Sequence, residues 1–288
     1  ALPLFIWMGE ILFRTRLSAD LFRGLAPWMG GLPGRLLHVN VAGCALFAAI
    51  SGSSAATVAT GGKKSIPELR QRRYPEMMII GTLAGAGTLG LLIPPSIILI
   101  VYGVTVNESI TRLFMAGILP GIMLAGLFMG YIILGALLRP DSMPPPEPHT
   151  GLAQKIRESL YLLPVIGLIV LVLGSIYFGV ATATEAAVLG VAGALILAAV
   201  QGSLDWTGFR ESLMGATRTS CMIALILAGS SFLSLSMGFT GLPRELAAWI
   251  ASLELTPLTL ILALTVFYVV LGCFLDGISA VVLTMAVV

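Results

Sequence analysis

Six long apolar stretches constrain this chain more than any other feature. A helix needs roughly 20 mostly apolar residues to cross a bilayer, and the stretches lack the alternating pattern of membrane β-barrel strands. Charged residues make up only 10% of the chain, against about 25% in soluble domains. The sequence therefore predicts an all-α polytopic membrane protein. The stretches are 77–102, 113–138, 159–178, 184–201, 219–238 and 258–275.

Basic residues flank a shorter apolar segment, 36–60, on both sides. Basic loops favour the cytoplasm, so this segment should enter and leave the membrane on one face. It is too short to cross twice, because one crossing takes about 20 residues. We predict a re-entrant helical hairpin that turns near Ser51–Ser54, where main-chain groups must be buried in protein or face a wet cavity. The alternative is that Ser53 and Ser54 are only small packing residues.

The chain contains a weak internal repeat at an offset of 225 positions. "LSADLF" at 17–22 falls on "LPRELA" at 242–247, and "ISGSSAA" at 50–56 falls on "LDGISAV" at 275–281. The offset pairs Ser51 with Asp276, Gly52 with Gly277 and Ser54 with Ser279. It predicts a second re-entrant hairpin.

The two copies differ in their flanking charge. The second amphipathic stretch carries Arg244 against Glu245 and Glu254, whereas the first is strongly basic. The copies are thus predicted to face opposite sides of the membrane, and inverted repeats with broken helices are typical of secondary transporters. Asp276 is interpreted as the only acid deep in an apolar run. Burying it in lipid would cost about 2.5–3.5 kcal/mol, so it should face a cavity or cap a half-helix.

The segment "GAGTLGLLIPPS" at 85–96 predicts a broken transmembrane helix. Pro94 and Pro95 have no N–H, so two carbonyls lose their helical donors. Such carbonyls, together with the hydroxyls of Thr88 and Ser96, suit a hard cation such as Na⁺. The alternative is a simple proline kink.

These features divide the chain into three predicted parts. Residues 1–138 form the first inverted repeat, 139–158 a cytoplasmic Pro-rich linker, and 159–288 the second repeat, whose hairpin begins near 258. The chain opens with Ala1 and ends within an apolar run, so we expect a fragment that lacks both ends.

Shorter segments between the apolar stretches also have predicted roles. Residues 18–30 and 242–253 are amphipathic and should lie in the membrane interface or brace the moving part against a scaffold. Residues 202–218 should form a cytoplasmic loop. Glu185 should cap the helix that it begins.

The sequence does not favour an enzyme. An intramembrane serine protease needs a base beside its nucleophile, and only His38 and His149 are available. An aspartyl protease needs two carboxylates at membrane depth, and Asp276 is the only acid interpreted as lying there. The three cysteines show no metal-ligand spacing, so no transition metal is expected; they are Cys44, Cys221 and Cys273.

Several strings together resemble the large membrane subunit of tripartite ATP-independent periplasmic (TRAP) transporters over essentially the whole chain. They are "LLHVNVAGCALFAAISGSSAAT" (36–57), "GTLAGAGTLGLLIPPSIILIVYG" (81–103), "RLFMAGILPG" (112–121) and "LGCFLDGISAVVLT" (271–284). The resemblance implies a multi-pass protein of the bacterial inner membrane that works by an elevator mechanism. It implies Na⁺-coupled uptake of small organic anions such as C4-dicarboxylates or sialic acid.

The resemblance also implies partners and site residues. The partners would be a small four-helix membrane subunit and a soluble periplasmic substrate-binding protein, with no nucleic acid; Na⁺ would be the coupling ion, with no cofactor. One Na⁺ site would use the first hairpin and the broken helix, and a second would use Gly272 and Asp276. The residues of the first Na⁺ site would be Ser51, Ser54, Gly90, Leu92 and Pro95.

We further expect the substrate to bind at the two hairpin turns and the broken helix. The expected substrate residues are Gly52, Ser53, Thr88, Ser96, Gly277 and Ser279. An alternative of another class is a Na⁺/divalent-anion symporter of similar architecture that needs no binding protein.

Overall fold

The structure is a computed structural model that describes residues 1–140, 144, 151–275 and 277–284. Within these residues it is all-helical, and no strand occurs. The helices are α1 (Leu2–Phe13), α2 (Leu17–Met29), α3 (Leu37–Ser51), α4 (Ser54–Gln71), α5 (Glu76–Gly87), α6 (Leu89–Leu92), α7 (Ile97–Val106), α8 (Ile110–Leu138), α9 (Leu152–Ser159), α10 (Leu163–Tyr177), α11 (Ala183–Val200), α12 (Trp206–Thr240), α13 (Leu242–Ser252), α14 (Pro257–Gly272) and α15 (Gly277–Thr284), with a 3₁₀ turn at Leu160–Leu162 between α9 and α10.

Five segments of the described chain are long and apolar enough to cross a membrane. They cover the first five predicted apolar stretches except residues 178 and 201, and the covered parts are helical apart from Thr88 and residues 93–96. The sixth stretch is represented by α14, which has 16 residues. The five spans are Glu76–Val106, Ile110–Leu138, Leu152–Tyr177, Ala183–Val200 and Trp206–Thr240.

Helix α1 lies at the centre of the packing, where it contacts α3, α11 and α12. Phe5, Met8 and Leu12 on this helix are at most 1% exposed. By contrast, the large apolar side chains on the outer face of α8 are exposed, as Leu119 is at 77%. A packed core with large apolar side chains exposed on the outer surface is suited to a protein embedded in lipid.

Three predicted boundaries need correction. The second arm of the hairpin at 36–60 continues to Gln71, because Glu68 pairs with Lys64 at 3.1 Å and with Arg72 at 2.5 Å, spacings that support a helix. The predicted loop 202–218 is helical from Trp206, because the Asp205 side chain accepts a hydrogen bond from the Gly208 amide at 2.8 Å and caps the helix.

The third correction concerns the predicted linker 139–158. Its last part is helical: α9 begins at Leu152 and leads through the 3₁₀ turn into α10. The linking role of the segment stays a prediction. Most of the remaining linker, 141–143 and 145–150, lies outside the described residues.

The same order of elements occurs twice along the chain. An amphipathic helix, α2, precedes the helix–turn–helix of α3 and α4, and another, α13, precedes the pair α14 and α15. These are the segments that the 225-residue offset aligns. The opposite orientation of the two copies in a membrane stays a prediction, as does the re-entry of each hairpin.

Candidate functional site

The turn between α3 and α4 lies where the polar residues predicted it. Helix α3 ends at Ser51, and Gly52 takes the left-handed conformation with φ +60°, which side-chain-bearing residues rarely adopt. Ser53 then caps α4, since its side chain accepts a hydrogen bond from the Ala56 amide at 3.4 Å. The serines therefore occupy the ends of two helices that meet at a tight turn.

A cluster of buried oxygen atoms stabilises this turn. The hydroxyls of Ser51 and Thr57 lie 3.1 Å apart. The Thr57 hydroxyl also donates to the Ser53 carbonyl at 2.7 Å. Ser51 is 2% exposed and Thr57 is fully buried, so these oxygens are shielded from solvent.

The second interruption separates α6 from α7 at residues 93–96. The Ile93 amide still donates to the Leu89 carbonyl at 2.8 Å, but Pro94 and Pro95 offer no N–H to the residues before them. The Ser96 hydroxyl, fully buried, donates to the Leu91 carbonyl at 2.6 Å. The break is thus partly compensated by a side chain.

The two interruptions touch each other directly. The Ile97 amide, at the start of α7, donates to the Gly52 carbonyl at 3.1 Å. A methyl group added at Gly90 would lie 2.9 Å from the Ser53 carbonyl oxygen, and one added at Gly52 would overlap the Pro95 carbonyl oxygen. Both positions need glycine because backbone packs against backbone.

Helix α1 forms a further side of the site. A methyl group added at Gly9 would lie 3.1 Å from the Ser51 carbonyl oxygen, so α1 crosses close to the end of α3. The next residue, Glu10, packs against Gly215 of α12 and forms an ion pair with Arg14 at 3.6 Å. Arg14 also binds Glu211 at 2.7 Å.

A cavity of about 770 Å³ opens beside the hairpin turn. Residues of the turn, of the broken helix, of α1, of α12 and of α15 line it. Among the described lining residues, Glu10 is the one charged side chain. The lining includes Glu10, Gly52, Ser53, Ser54, Leu91, Ile97, Thr219 and Gly277.

The first residues of three helices line this cavity. Ser54 begins α4, Ile97 begins α7 and Gly277 begins α15. The start of a helix carries unpaired N–H groups and a partial positive charge. These ends bring partial positive charge to a cavity whose charged lining residue, Glu10, is paired with Arg14 at 3.6 Å.

The predicted cation-site residues of the first repeat lie close together, with one exception. Ser51, Ser54 and Gly90 meet at the hairpin turn, and the Pro95 carbonyl lies beside Gly52. The Leu92 carbonyl instead faces α8, where a methyl group added at Gly117 would lie 2.8 Å from it.

The predicted residues of the second repeat are more dispersed. Gly272 is exposed at the end of α14, and no atom lies within 4 Å of a methyl group added there. Asp276 lies outside the described residues. Of the predicted substrate residues, Gly277 lines the main cavity, but Ser279 lines a separate cavity of about 270 Å³ beside Ser230 and Leu233.

The other predicted substrate residues also separate into two groups. Gly52 and Ser53 line the main cavity. Thr88 is exposed, and its hydroxyl donates to the Gly85 carbonyl at 2.7 Å. Ser96 is fully buried behind the broken helix.

Sequence reasoning missed two residues of this region, Thr57 and Glu10. Thr57 follows Ser53 by four positions, a spacing at which a threonine hydroxyl can bond the earlier carbonyl. Glu10 is an acid within the apolar helix α1, so Asp276 is not the only acid in an apolar run. No group of three or more potential metal-binding His, Cys, Asp or Glu side chains occurs among the described residues.

The fold and site define a multi-pass, all-helical membrane protein in which interrupted helices surround a cavity. The family model of the DctM component of tripartite ATP-independent periplasmic transporters matches residues 1–288. The chain therefore belongs to this family, a family of transporter permease subunits rather than enzymes. It is accordingly a multi-pass protein of the bacterial inner membrane.

Curated relatives agree with this assignment. The chain is 31% identical over 287 residues to a C4-dicarboxylate TRAP transporter large permease protein of Pseudomonas aeruginosa, covering 99% of the chain and 66% of the relative. It is 30% identical to a sialic acid TRAP transporter large permease protein of Vibrio cholerae, covering 98% and 66%. An ectoine/5-hydroxyectoine TRAP large permease of Ruegeria pomeroyi is 29% identical, covering 100% and 67%. The chain thus spans about two thirds of the length of these relatives.

Proposed function

We propose that this chain is the permease part of a Na⁺-coupled secondary transporter that imports small organic anions. The observation that carries the proposal is the direct contact of the two helix interruptions, where the Ile97 amide bonds the Gly52 carbonyl beside the cavity. Interrupted helices that meet at a cavity provide both ion and substrate sites in secondary transporters.

The cation would bind on the buried oxygen side of this contact. The Ser51 hydroxyl, the Ser53 carbonyl and the Gly90 segment lie within one small region. Na⁺ is a hard cation, and oxygen ligands from hydroxyls and carbonyls suit such ions. A site built from these groups needs no carboxylate.

The organic anion would bind in the cavity of about 770 Å³, facing the first residues of α4, α7 and α15. Helix N-termini favour a carboxylate through their N–H groups and partial positive charge. The names of the relatives mention C4-dicarboxylate, sialic acid and ectoine, and these compounds all carry carboxylates. A small carboxylate is therefore the substrate class that the cavity favours.

The family description, tripartite and periplasmic, supports the proposed partners. These are a small membrane subunit and a soluble periplasmic binding protein that delivers the substrate. The repeated order of elements supports an elevator mechanism, in which the two hairpins and the broken helices move as a unit.

The test is uptake by proteoliposomes that contain the complete transporter, with and without a Na⁺ gradient. The double variant Ser51→Ala/Ser54→Ala is expected to weaken Na⁺ dependence, because it removes one hydroxyl of the cluster and one at the start of α4. Ser65→Ala is the matched control. Ser65 is buried in the same hairpin, but its hydroxyl bonds the Gly61 carbonyl at 2.8 Å, within α4 and away from the turn.

Full Na⁺-dependent uptake by the double variant would refute the cation site. Uptake that needs no Na⁺ in the unmodified transporter would refute the coupling itself. Uptake without any soluble binding protein would instead favour the binding-protein-independent symporter.

A further inference from the structure

Helices α2 and α9 form a polar contact on the surface of the molecule, and the residues of this contact do not line the main cavity. Arg23 of α2 pairs with Glu158 of α9 at 2.5 Å, and its guanidinium lies 4.3 Å from the centre of the Tyr161 ring. The indole N–H of Trp28 donates to the Ser159 hydroxyl at 2.7 Å. Side chains thus hold the two helices together at a defined spacing.

The span that begins with α9 is longer than the hydrocarbon core of a bilayer is thick. The span Leu152–Tyr177 has 26 residues, and at 1.5 Å per residue it is about 39 Å long. The hydrocarbon core is only about 30 Å thick. The charged residues of this span lie in its α9 end, so that end is the part that projects into the headgroup layer.

A cleft of about 470 Å³ opens between the two helices. Arg23 and Arg157 line it with a single acid, Glu158, and with Gln154 and Tyr161. Glu158 is already paired with Arg23. In the part of the chain that the structure describes, Arg157 has no ion-pair partner, so the cleft keeps a positive charge.

An exposed apolar stripe runs along α9 and into the following 3₁₀ turn, beside this cleft. Leu152 is 72% exposed, Ile156 is 59% exposed and Leu160 is 56% exposed. Their spacing of four residues places them on one face of the helix. Apolar and basic faces on one helix are typical of segments that lie in the membrane interface.

We propose that the cleft between α2 and α9 binds the phosphate headgroup of an anionic phospholipid, through Arg157 with Gln154 and Arg23. The acyl chains would then begin at Leu160, the end of this stripe nearest the hydrocarbon core. Basic clusters beside membrane spans favour anionic lipids on the cytoplasmic face, which is the face that the basic residues of this region favour. A free phosphate ion would gain nothing from the apolar stripe.

The test uses the complete transporter, purified in detergent and titrated with phosphatidylglycerol, with phosphatidylcholine and with inorganic phosphate. Native mass spectrometry measures the bound lipid. The unmodified protein should bind phosphatidylglycerol more tightly than phosphatidylcholine, and inorganic phosphate should not displace the lipid. Since one basic residue near an anionic membrane contributes about 1 kcal/mol, Arg157→Gln should weaken phosphatidylglycerol binding by about fivefold.

Two further variants make the result specific. Arg157→Lys keeps the positive charge and should retain most of the phosphatidylglycerol binding. If Arg157→Gln acted only by disturbing the structure, the lysine variant would not be expected to restore binding. Arg210→Gln removes an exposed arginine from α12 and should leave binding unchanged.

Three results would overturn the proposal. These are unchanged phosphatidylglycerol binding by Arg157→Gln, an equal loss in Arg210→Gln, and displacement of the lipid by inorganic phosphate. The last of them would assign the cleft to a free anion instead of a lipid.

Discussion

Gly90 tests the contact between the hairpin and the broken helix most directly. In Gly90→Ala, the new methyl group would lie 2.9 Å from the carbonyl carbon and oxygen of Ser53 and 3.0 Å from the Ser54 nitrogen. All three are backbone atoms, so no side chain can rotate away. Ordinary contact begins near 3.4 Å, and the hairpin turn must therefore move by about 0.5 Å.

Gly81→Ala is the matched control, because Gly81 lies on α5 and has no atom within 4 Å of an added methyl group. Both substitutions gain about the same helix propensity, up to about 1 kcal/mol, so their difference isolates the clash. Overpacking of this kind costs about 1–3 kcal/mol. Gly90→Ala should therefore unfold at a temperature several degrees below that of Gly81→Ala in a detergent melting assay.

The same displacement should reach the proposed cation site, because the Ser53 carbonyl belongs to the oxygen cluster. If the bound state bears the full strain, 1–3 kcal/mol corresponds to about 5- to 150-fold weaker Na⁺ binding. Proteoliposome uptake at increasing Na⁺ measures this shift. If Gly90→Ala melted like Gly81→Ala and kept the same Na⁺ half-saturation, the close contact between the two interruptions would be refuted.

Two further substitutions test neighbouring features. Gly52→Ala should destabilise the protein more than Gly90→Ala, because the new methyl group clashes with the Pro95 carbonyl. The left-handed conformation at φ +60° costs alanine a further 1–2 kcal/mol or so. Equal melting temperatures for the two variants would contradict this. Thr182→Ala should cost about 0.5–2 kcal/mol without changing Na⁺ dependence, because Thr182 and Glu185 form a reciprocal cap at the start of α11. Thr184→Ala, at an exposed position in the same turn, is its control, and a change in Na⁺ half-saturation in Thr182→Ala would show that the cap acts beyond local stability.

Local chemistry made much of the fold predictable from the sequence. The hairpin turn followed from Gly52 and its serines, the broken helix from Pro94 and Pro95, and the cap of α11 from Glu185, and each depends on residues adjacent in sequence. The predictions failed where helices extended past an apolar stretch. Charged i, i+4 pairs extend α4 to Gln71, and hydropathy does not register such pairs.

The site was less predictable, because it depends on contacts between distant segments. Gly9 of α1 packs on Ser51, and this crossing brings Glu10 to the cavity. Nothing in the spacing of residues 9 and 51 indicates that contact. The hydroxyl of Thr57 could have been anticipated from its position on the first turns of α4, whereas the direction of the Leu92 carbonyl toward α8 depends on how those helices pack.

A broken helix presents two kinds of end, and this explains why one small region could hold both a cation and an anion. The end of α3 supplies carbonyl oxygens, which carry partial negative charge. The beginnings of α4 and α7, only a few residues further along the chain, supply N–H groups of opposite character. The bond from the Ile97 amide to the Gly52 carbonyl joins one end of each kind.

Because this bond joins the two interruptions, we expect a movement of one to displace the other. A cation on the carbonyl side would then fix the position of the N–H groups on the cavity side. An anion in the cavity would in turn lower the electrostatic cost of holding the cation. Reciprocal coupling of this kind is a thermodynamic necessity whenever one ligand changes the affinity for another. Substrate should therefore raise the apparent affinity for Na⁺ by the same factor by which Na⁺ raises the affinity for substrate.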